Sequence, residues 1–293
     1  TAYEISTRDW SSDVCSSDLR SHWIKDLLER VHAGLVVAVE EMANGDLDGA
    51  LLDRGVDLVV CDLAECPWAL PEGLHLAAIP TRDEVCEALV LRTALSDAPR
   101  GLPDLPDGAR LGVTGARRAL QLRSRHPNLR FLELNGAIDE RLRRLEAGDA
   151  DATIVAAADL VRLDRSNRIA VRFDLAEMLP GAGQGAVGIL ARTDDPRTHM
   201  LLEMLNHWPT RFAIEAERAL LRELSAEERA PVAVLGRAEG DSLLRLEALV
   251  LDPAGGPPIR RQLTGPLQDG EELGIRLAQE LREAGAREIL ARS

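Results

Sequence analysis

The sequence predicts an α/β protein with mainly parallel sheets and helices on both faces of each sheet. Between residues 22 and 178, apolar segments of strand length alternate with segments of helical periodicity. This alternation is typical of strand–helix–strand units, in which the helices cover a parallel sheet. From residue 210 the pattern changes to a long helix, grouped strands and a closing helix, which indicates a small α+β unit.

The first predicted unit starts with a helix at residues 22–30 and continues with apolar strands. These strands are predicted at 34–40, 56–60, 74–79 and 87–92. Four of the five residues at 56–60 are apolar, a composition typical of a buried strand. Three prolines and a glycine predict a linker at residues 99–107, after which a second unit begins.

The second predicted unit opens with a strand at 110–113 that runs into the turn Thr114-Gly115-Ala116-Arg117-Arg118 and a helix. Further strands at 129–134 and 152–157 flank a helix at 138–147. A glycine-rich turn at 180–185 then leads into an apolar strand at 186–190.

These changes of pattern predict three domains. The first covers residues 1–95 together with a return crossing at 183–208. The second covers residues 102–178, and the third covers residues 210–293.

Composition narrows the classes of partner. The net charge is −14, and Lys25 is the only lysine, so arginine supplies nearly all the positive charge. A chain with this charge repels nucleic acid, although a small anion can still bind where arginines converge. The apolar runs are too short to cross a bilayer, so we expect no membrane partner and a cytoplasmic protein.

The cysteines predict no metal site. Cys15, Cys61, Cys66 and Cys86 have no metal-type spacing, and no pair of histidines lies nearby in the sequence to complete a zinc site. In a cytosolic chain, buried free thiols are the expected state.

Residues 9–19 read DWSSDVCSSDL and have no apolar period. Back-translated, this stretch resembles the tail of a common sequencing-library adapter read in frame. We interpret it as an assembly artefact, and the alternative is a genuine polar loop. Cys15 and Trp10 therefore carry no functional prediction.

Several motifs resemble the hydroxymethylbilane synthase (porphobilinogen deaminase) family. They are GARLGVTGARRALQL at 108–122, RFLELNGAIDERLRRL at 130–145, PGAGQGAVGIL at 180–190, DLVVCDLAECP at 57–67 and GAREIL at 285–290. The resemblance extends from about residue 22 to residue 290. It implies three domains, with two sheets around a cleft as in periplasmic binding proteins and a third domain that carries the cofactor.

The resemblance also implies an activity, the joining of four porphobilinogen units to hydroxymethylbilane with release of ammonia in tetrapyrrole (haem) biosynthesis. A dipyrromethane cofactor, held as a thioether by one cysteine, primes the chain. Such chemistry needs a carboxylate beside the cationic pyrrole and arginines that hold ring carboxylates through forked hydrogen bonds. The partner implied is the small-molecule substrate porphobilinogen, and we expect a monomer.

The resemblance assigns contacts with substrate or cofactor carboxylates to one threonine and four arginines. These residues are Thr114, Arg117, Arg118, Arg141 and Arg162. For a single arginine, the alternative is a solvated helix face. Glu65 aligns with the family's catalytic aspartate, with one additional methylene, and its alternative is an ordinary loop acid.

Other positions depart from the family pattern. Glu228, in LSAEERAP at 224–231, takes the place of the cofactor cysteine, and a carboxylate cannot form a thioether. The remaining departures are Ala64 for a lysine, Asn135 for an arginine, Gly115 for a serine and a loop deleted between residues 46 and 51. We therefore predict that dipyrromethane is absent and that catalysis is impaired. The alternatives are a non-catalytic paralogue that binds a pyrrole carboxylate or a partner protein, and a damaged reading frame.

Overall fold

The computed structural model describes residues 2–8, 14–40, 46–93, 101–226 and 230–292. The strands are β1 (Ala2–Arg8), β2 (Val36–Glu40), β3 (Leu58–Asp62), β4 (Leu74–Ala78), β5 (Glu87–Leu91), β6 (Arg110–Val113), β7 (Arg130–Glu133), β8 (Ala152–Ala156), β9 (Val171–Arg172), β10 (Val187–Arg192), β11 (Val232–Glu239), β12 (Leu243–Val250) and β13 (Ile259–Pro266). The helices are α1 (Val14–Val31), α2 (Leu47–Leu52), α3 (Ala116–Arg123), α4 (Ile138–Ala147), α5 (Ala157–Arg162), α6 (Pro196–Glu203), α7 (Trp208–Leu224), α8 (Gly270–Glu283) and α9 (Ala286–Leu290).

The described strands form three separate sheets. The first has the order β2-β1-β3-β10-β4, and the second has the order β7-β6-β8-β5-β9. In each five-stranded sheet three neighbouring strands are parallel, and one strand runs antiparallel to both of its neighbours. These antiparallel strands are β10 in the first sheet and β5 in the second. Both follow segments where the chain crosses from one sheet to the other.

The third sheet is an antiparallel meander, β11-β12-β13. Helices α7 and α8 cover one face of it, and their apolar side chains share one core with the inner faces of β11 and β12. The two helices lie close together because Gly274 has no side chain. A Cβ atom there would lie 2.4 Å from the carbonyl oxygen of Ala216.

The predicted α/β class with a small α+β unit at the end of the chain is confirmed. The predicted helix at 138–147 forms with the same bounds, and the buried strand predicted at 56–60 forms as β3. Among the described residues, no helix is long and apolar enough to cross a membrane.

The prediction was wrong at the end of the first domain. Residues 87–91 were assigned to the first unit, but β5 pairs with β8 and β9 in the second sheet. Every residue of β5 is buried, so the local pattern showed a core strand without showing which core. The predicted linker also contributes to the second core, because Leu102 and Leu105 are buried in it. Residues 9–13 of the adapter-like stretch and residues 94–100 lie outside the described part of the chain.

The glycine turn at 180–185 lies where the first, second and third units meet. Its tightest position is Gly183, with φ +72°, where a Cβ atom would lie 2.3 Å from the carbonyl oxygen of Leu63. Only glycine allows this backbone conformation together with so close an approach. The motif PGAGQGAVGIL therefore has a structural basis in the contact between the turn and the end of β3.

A buried carboxylate on α7 holds this junction together. The side chain of Glu217 is fully buried and accepts hydrogen bonds from the backbone N–H of Gly183 at 2.7 Å and of Gly236 at 2.8 Å. It also pairs with Arg82 at 2.5 Å, and the Nε of Arg82 donates to the carbonyl of Gln184 at 2.9 Å. One side chain thus joins the crossing segment, the glycine turn and β11.

We predict that Glu217→Ala lowers the free energy of unfolding by about 3–5 kcal/mol, because it leaves the buried Arg82 guanidinium without its counter-charge. Urea denaturation followed by circular dichroism measures this change. Glu271→Ala is the matched control. Glu271 also pairs with an arginine of α7, Arg222, but both side chains are exposed, so a loss below about 1 kcal/mol is expected. Equal losses in the two variants would contradict the role of Glu217.

Candidate functional site

The turn between β6 and α3 carries the paired arginines. Gly115 precedes the helix with φ +79°, and α3 begins at Ala116. The hydroxyl of Thr114 donates to the carbonyl of Leu134 at 2.8 Å, so it ties the ends of β6 and β7 together. In this structure Thr114 therefore stabilises the turn, and its contact with a ligand stays a prediction.

Arg117 and Arg118 converge on one buried acid that the sequence analysis did not select. Glu87 opens β5, and its side chain is fully buried. Its Oε1 atom accepts a hydrogen bond from Nη2 of Arg117 at 2.6 Å and from Nε of Arg118 at 2.9 Å. The two predicted arginines thus bind the same carboxylate, which belongs to a strand of the second sheet.

The field of the two arginines controls the charge of Glu87. Burial disfavours the ionised carboxylate, but the guanidinium groups of Arg118 and Arg117 outweigh burial and lower the pKa of Glu87 to about 2. Glu87 is therefore a permanent anion at neutral pH. Two arginines and one carboxylate leave this group with one positive charge in excess.

Arg117 is also held by the glycine turn. Its Nη1 atom donates to the carbonyl of Leu179 at 3.0 Å, and Nη2 donates to the side-chain oxygen of Gln184 at 3.2 Å. The amide nitrogen of Gln184 in turn donates to the carbonyl of Val85 at 2.8 Å. The two crossing segments between the sheets thereby fix the direction of the Arg117 side chain.

Arg162 belongs to a second ion cluster, which joins α5 to the first sheet unit. Its Nη1 atom lies 3.2 Å from Asp159 and 3.8 Å from Asp62, and its Nη2 atom lies 2.8 Å from Asp83. Arg20 of α1 completes the cluster, 2.6 Å from Asp62 and 3.3 Å from Asp159.

The two clusters are electrostatically continuous. Burial raises the pKa of Asp159, and the neighbouring charge of Asp62 raises it further, whereas Arg20, Arg162 and Arg118 act in the opposite direction. Arg118 therefore lies within the field of Asp159. One ion network extends from Glu87 through Arg118 to Asp159 and the second cluster.

Glu65 lies on an exposed turn after β3, and its backbone N–H donates to the carbonyl of Asp62 at 3.1 Å. The loop that follows is anchored to the third domain by Arg218 of α7. That side chain donates to the carbonyls of Cys66 at 3.3 Å and Trp68 at 3.1 Å, and also to the carbonyl of Pro67. The turn that carries Glu65 is thus fixed at one end by β3 and at the other end by Arg218.

Arg141 is held in the packing between α4 and β8. It is buried, and its Nη2 atom donates to the carbonyl of Ile154 at 2.7 Å. Its contact with a ligand carboxylate stays a prediction. Glu228, at the cofactor position, lies outside the described residues. Within the described ranges, no group of three or more metal-binding side chains occurs.

The sequence analysis missed the acids that hold the arginines, namely Glu87, Asp62 and Asp159. A signal for each was present in the sequence. They are single acids within or at the end of apolar runs, in EALVL, LVVCD and AAADLV. A charged residue in a buried strand or helix needs a partner, so each of these acids predicted a nearby arginine.

Two mixed five-stranded sheets linked by two crossings, a small third domain and an arginine–acid network at the junction define a three-domain α/β protein with an interdomain site. Two family models together match most of this chain. The model for the porphobilinogen deaminase dipyromethane cofactor binding domain matches residues 37–200, and the model for the porphobilinogen deaminase C-terminal domain matches residues 211–283. The chain belongs to the porphobilinogen deaminase family, a family of transferases in tetrapyrrole biosynthesis, as the motifs predicted.

A curated relative agrees with this assignment. The porphobilinogen deaminase of Thermus thermophilus is 39% identical over 246 residues, which cover 84% of this chain and 80% of that protein.

Similar solved structures include periplasmic proteins. A substrate-binding protein of an ABC transporter from Coxiella burnetii is 15% identical with a TM-score of 0.45, and covers 69% of this chain and 91% of its own. The methionine-binding protein MetQ is 13% identical with a TM-score of 0.46, and covers 70% of this chain and 89% of its own. The fold assignment rests on the sheet topology and on the family.

We predict that Glu87 makes stability depend on pH in the acid range. The pKa of Glu87 is lower in the folded chain than in the unfolded chain. Its contribution to the free energy of unfolding is therefore complete above pH 4.5 and is lost as the pH falls toward about 2. The shift corresponds to about 3 kcal/mol. Urea unfolding should show Glu87→Gln less stable than the wild type by about this amount near pH 7, with the difference narrowing below about pH 4.5. A difference that stays constant down to about pH 3 would contradict the assignment.

Proposed function

We propose that this chain binds carboxylated pyrroles of the porphobilinogen class at Arg117 and Arg118, and that its turnover of porphobilinogen to hydroxymethylbilane is impaired. The observation that supports binding is the pair of arginines held by one buried carboxylate, which leaves one positive charge in excess. The observation that supports impairment is the glutamate at position 228, where the family requires a thiol.

The arginine pair suits a planar carboxylate. Glu87 and the carbonyl of Leu179 fix the guanidinium of Arg117, and Glu87 fixes Arg118 through its Nε atom. A guanidinium that an acid already orients loses less side-chain entropy when it binds a ligand carboxylate. Each well-formed charged hydrogen bond contributes roughly 1.5–3 kcal/mol, which is enough for measurable binding.

Glu65 is the candidate for the chemistry at the pyrrole. When positive charge develops on the ring, a carboxylate on the held turn can stabilise it and accept a proton. Glutamate places that carboxylate one methylene further from the backbone than the family's aspartate does. A displacement of about 1 Å from the productive position can reduce the rate about a hundredfold.

The cysteine thiols that the structure describes do not fit the family's dipyrromethane cofactor. Residues 210–293 contain no cysteine. Cys61 and Cys66 are buried in the core beneath β3, and Cys86 donates its thiol hydrogen to Glu84, where burial raises its pKa to about 12. We therefore derive no catalytic step through a bound primer. A non-catalytic paralogue that retains the binding site is the form of the proposal most consistent with these residues.

The family assignment supports a proposal for localisation and assembly. We propose a cytoplasmic protein that acts as a monomer on a small molecule and does not bind nucleic acid. The net charge of −14 supports the last point, because such a chain repels a phosphate backbone.

We predict that the purified protein carries no covalent dipyrromethane. Its intact mass should equal that of the bare polypeptide, and an acid aldehyde reagent for pyrroles should give no colour. The comparison variant is Glu228→Cys, which restores a thiol at the cofactor position. A pyrrole adduct mapped to residues 224–231 of the wild-type chain would overturn the prediction.

We predict weak, salt-sensitive binding of porphobilinogen that depends on Arg118. Arg118→Ala leaves Arg117 to balance the buried Glu87, so the fold should survive, and the affinity measured by calorimetry should fall about tenfold. Parallel assays of the wild type should detect no hydroxymethylbilane.

The matched control for Arg118 is Arg143→Ala. Arg143 is exposed, and it pairs with Glu140 within α4. Its removal deletes the same charge without touching the ion network, so the affinity should change less than about twofold. Equal affinities of the wild type and Arg118→Ala would remove the arginine pair from the proposal.

A further inference from the structure

The second ion cluster contains more acids than arginines. Arg20 and Arg162 are surrounded by Asp62, Asp83 and Asp159. With all five groups ionised the cluster has one negative charge in excess, whereas the neighbouring group of Arg117, Arg118 and Glu87 has one positive charge in excess. The two halves of the network therefore present opposite fields to an anionic ligand.

The guanidinium of Arg162 is already occupied by groups of the chain itself. Its Nε atom donates to Asp83 at 2.9 Å, its Nη1 atom to Asp159 at 3.2 Å, and its Nη2 atom to the carbonyl of Gly185 at 3.2 Å. A ligand carboxylate at this position must displace one of these acceptors. It must also approach a cluster that is already negative.

We infer that Asp62 and Asp159 are specificity-determining residues that exclude a second ligand carboxylate from Arg162. This inference rests on the proposed function and narrows its ligand class. The cleft takes a pyrrole through one carboxylate, at Arg117 and Arg118. A second carboxylate on the same ring adds nothing to the affinity, because the acids of the chain already fill the position that would receive it.

Proton uptake should relieve this exclusion. Burial and the charge of Asp62 raise the pKa of Asp159, while Arg20, Arg162 and Arg118 oppose them, so Asp159 takes up a proton more readily than an ordinary aspartate. Protonation of Asp159 removes its negative charge, which weakens its pairing with Arg162 and makes the cluster neutral. A dicarboxylate should therefore bind more tightly as the pH falls, and a monocarboxylate, which Asp159 affects only through the field at Arg118, should show a smaller dependence.

Two matched probes test the inference by calorimetry. One is pyrrole-3-propionate, and the other is the same ring with an added 4-carboxymethyl group. In the wild type at neutral pH, the affinities should agree within about twofold. Asp159→Asn keeps the side-chain shape and removes the charge, and it should strengthen binding of the dicarboxylate about tenfold and of the monocarboxylate by less than about threefold. Asp62→Asn should act in the same direction.

Two controls separate the freeing of Arg162 from a general change of charge. Asp149→Asn removes an exposed acid that pairs with Arg144, and it should leave both affinities unchanged. Adding Arg162→Ala to Asp159→Asn should abolish the gain for the dicarboxylate. Thermal melting of each variant verifies that it is folded.

The possible results distinguish this inference from the proposed function. If the monocarboxylate binds through Arg118 but neither Asp159→Asn nor Asp62→Asn gains affinity for the dicarboxylate, the inference is overturned and the proposed function stands. If the monocarboxylate does not bind but Asp159→Asn binds the dicarboxylate through Arg162, the inference stands and the proposed site at Arg117 and Arg118 is overturned. Binding of neither probe by any variant rejects both.

Discussion

The arrangement of the three units depends on the carboxylate of Glu217. It is buried where a helix of the third domain meets a crossing segment and the glycine turn, and it is satisfied by Arg82 and by backbone N–H groups of Gly183 and Gly236. Removing one partner from a buried ion pair lowers the free energy of unfolding by far more than the intact pair contributes to it. The same turn carries Gln184, which contacts Arg117, so this contact also determines the geometry of the arginine site.

Every arginine of the candidate site in the described structure has an acid or a carbonyl as its partner. Arg117 and Arg118 both pair with Glu87, and Arg162 pairs with three aspartates. Arg141 donates a hydrogen bond to a backbone carbonyl. A buried guanidinium without such a partner would be destabilising, so the fold itself requires these acids. The net charge of each ion cluster is then set by the small difference between its arginines and its acids.

The sequence predicted a helix or strand well where hydrophobic periodicity defines it. It predicted less well the features that depend on pairing with strands distant in the sequence. The helix α4 was predicted residue for residue because its apolar face repeats regularly. The strand β5 was found but assigned to the wrong sheet, since a fully buried strand carries no mark of its neighbours. The arginines of the site followed from motifs, whereas the contact of Glu87 with Arg118 joins residues 31 positions apart and that of Arg20 with Asp159 joins residues 139 apart. Contacts at such separations depend on topology, which local patterns do not contain.

Burial distinguishes the arginines that the family resemblance assigned to the site from the positions at which it indicated a departure. Arg117, Arg118, Arg141 and Arg162 have side chains that are mostly buried within the ion network or the core.

Of the departures that the resemblance indicated, the four substituted positions within the described residues are exposed. They are Ala64, Glu65, Gly115 and Asn135. An exposed side chain can change at little cost in stability, whereas replacing one member of a buried ion network costs several kcal/mol, about 3–5 for a buried pair. When selection on the original reaction weakens, exposed groups that serve only the chemistry are lost first. Under the proposed loss of turnover, the arginines that also hold the fold together are retained, and with them the proposed carboxylate site.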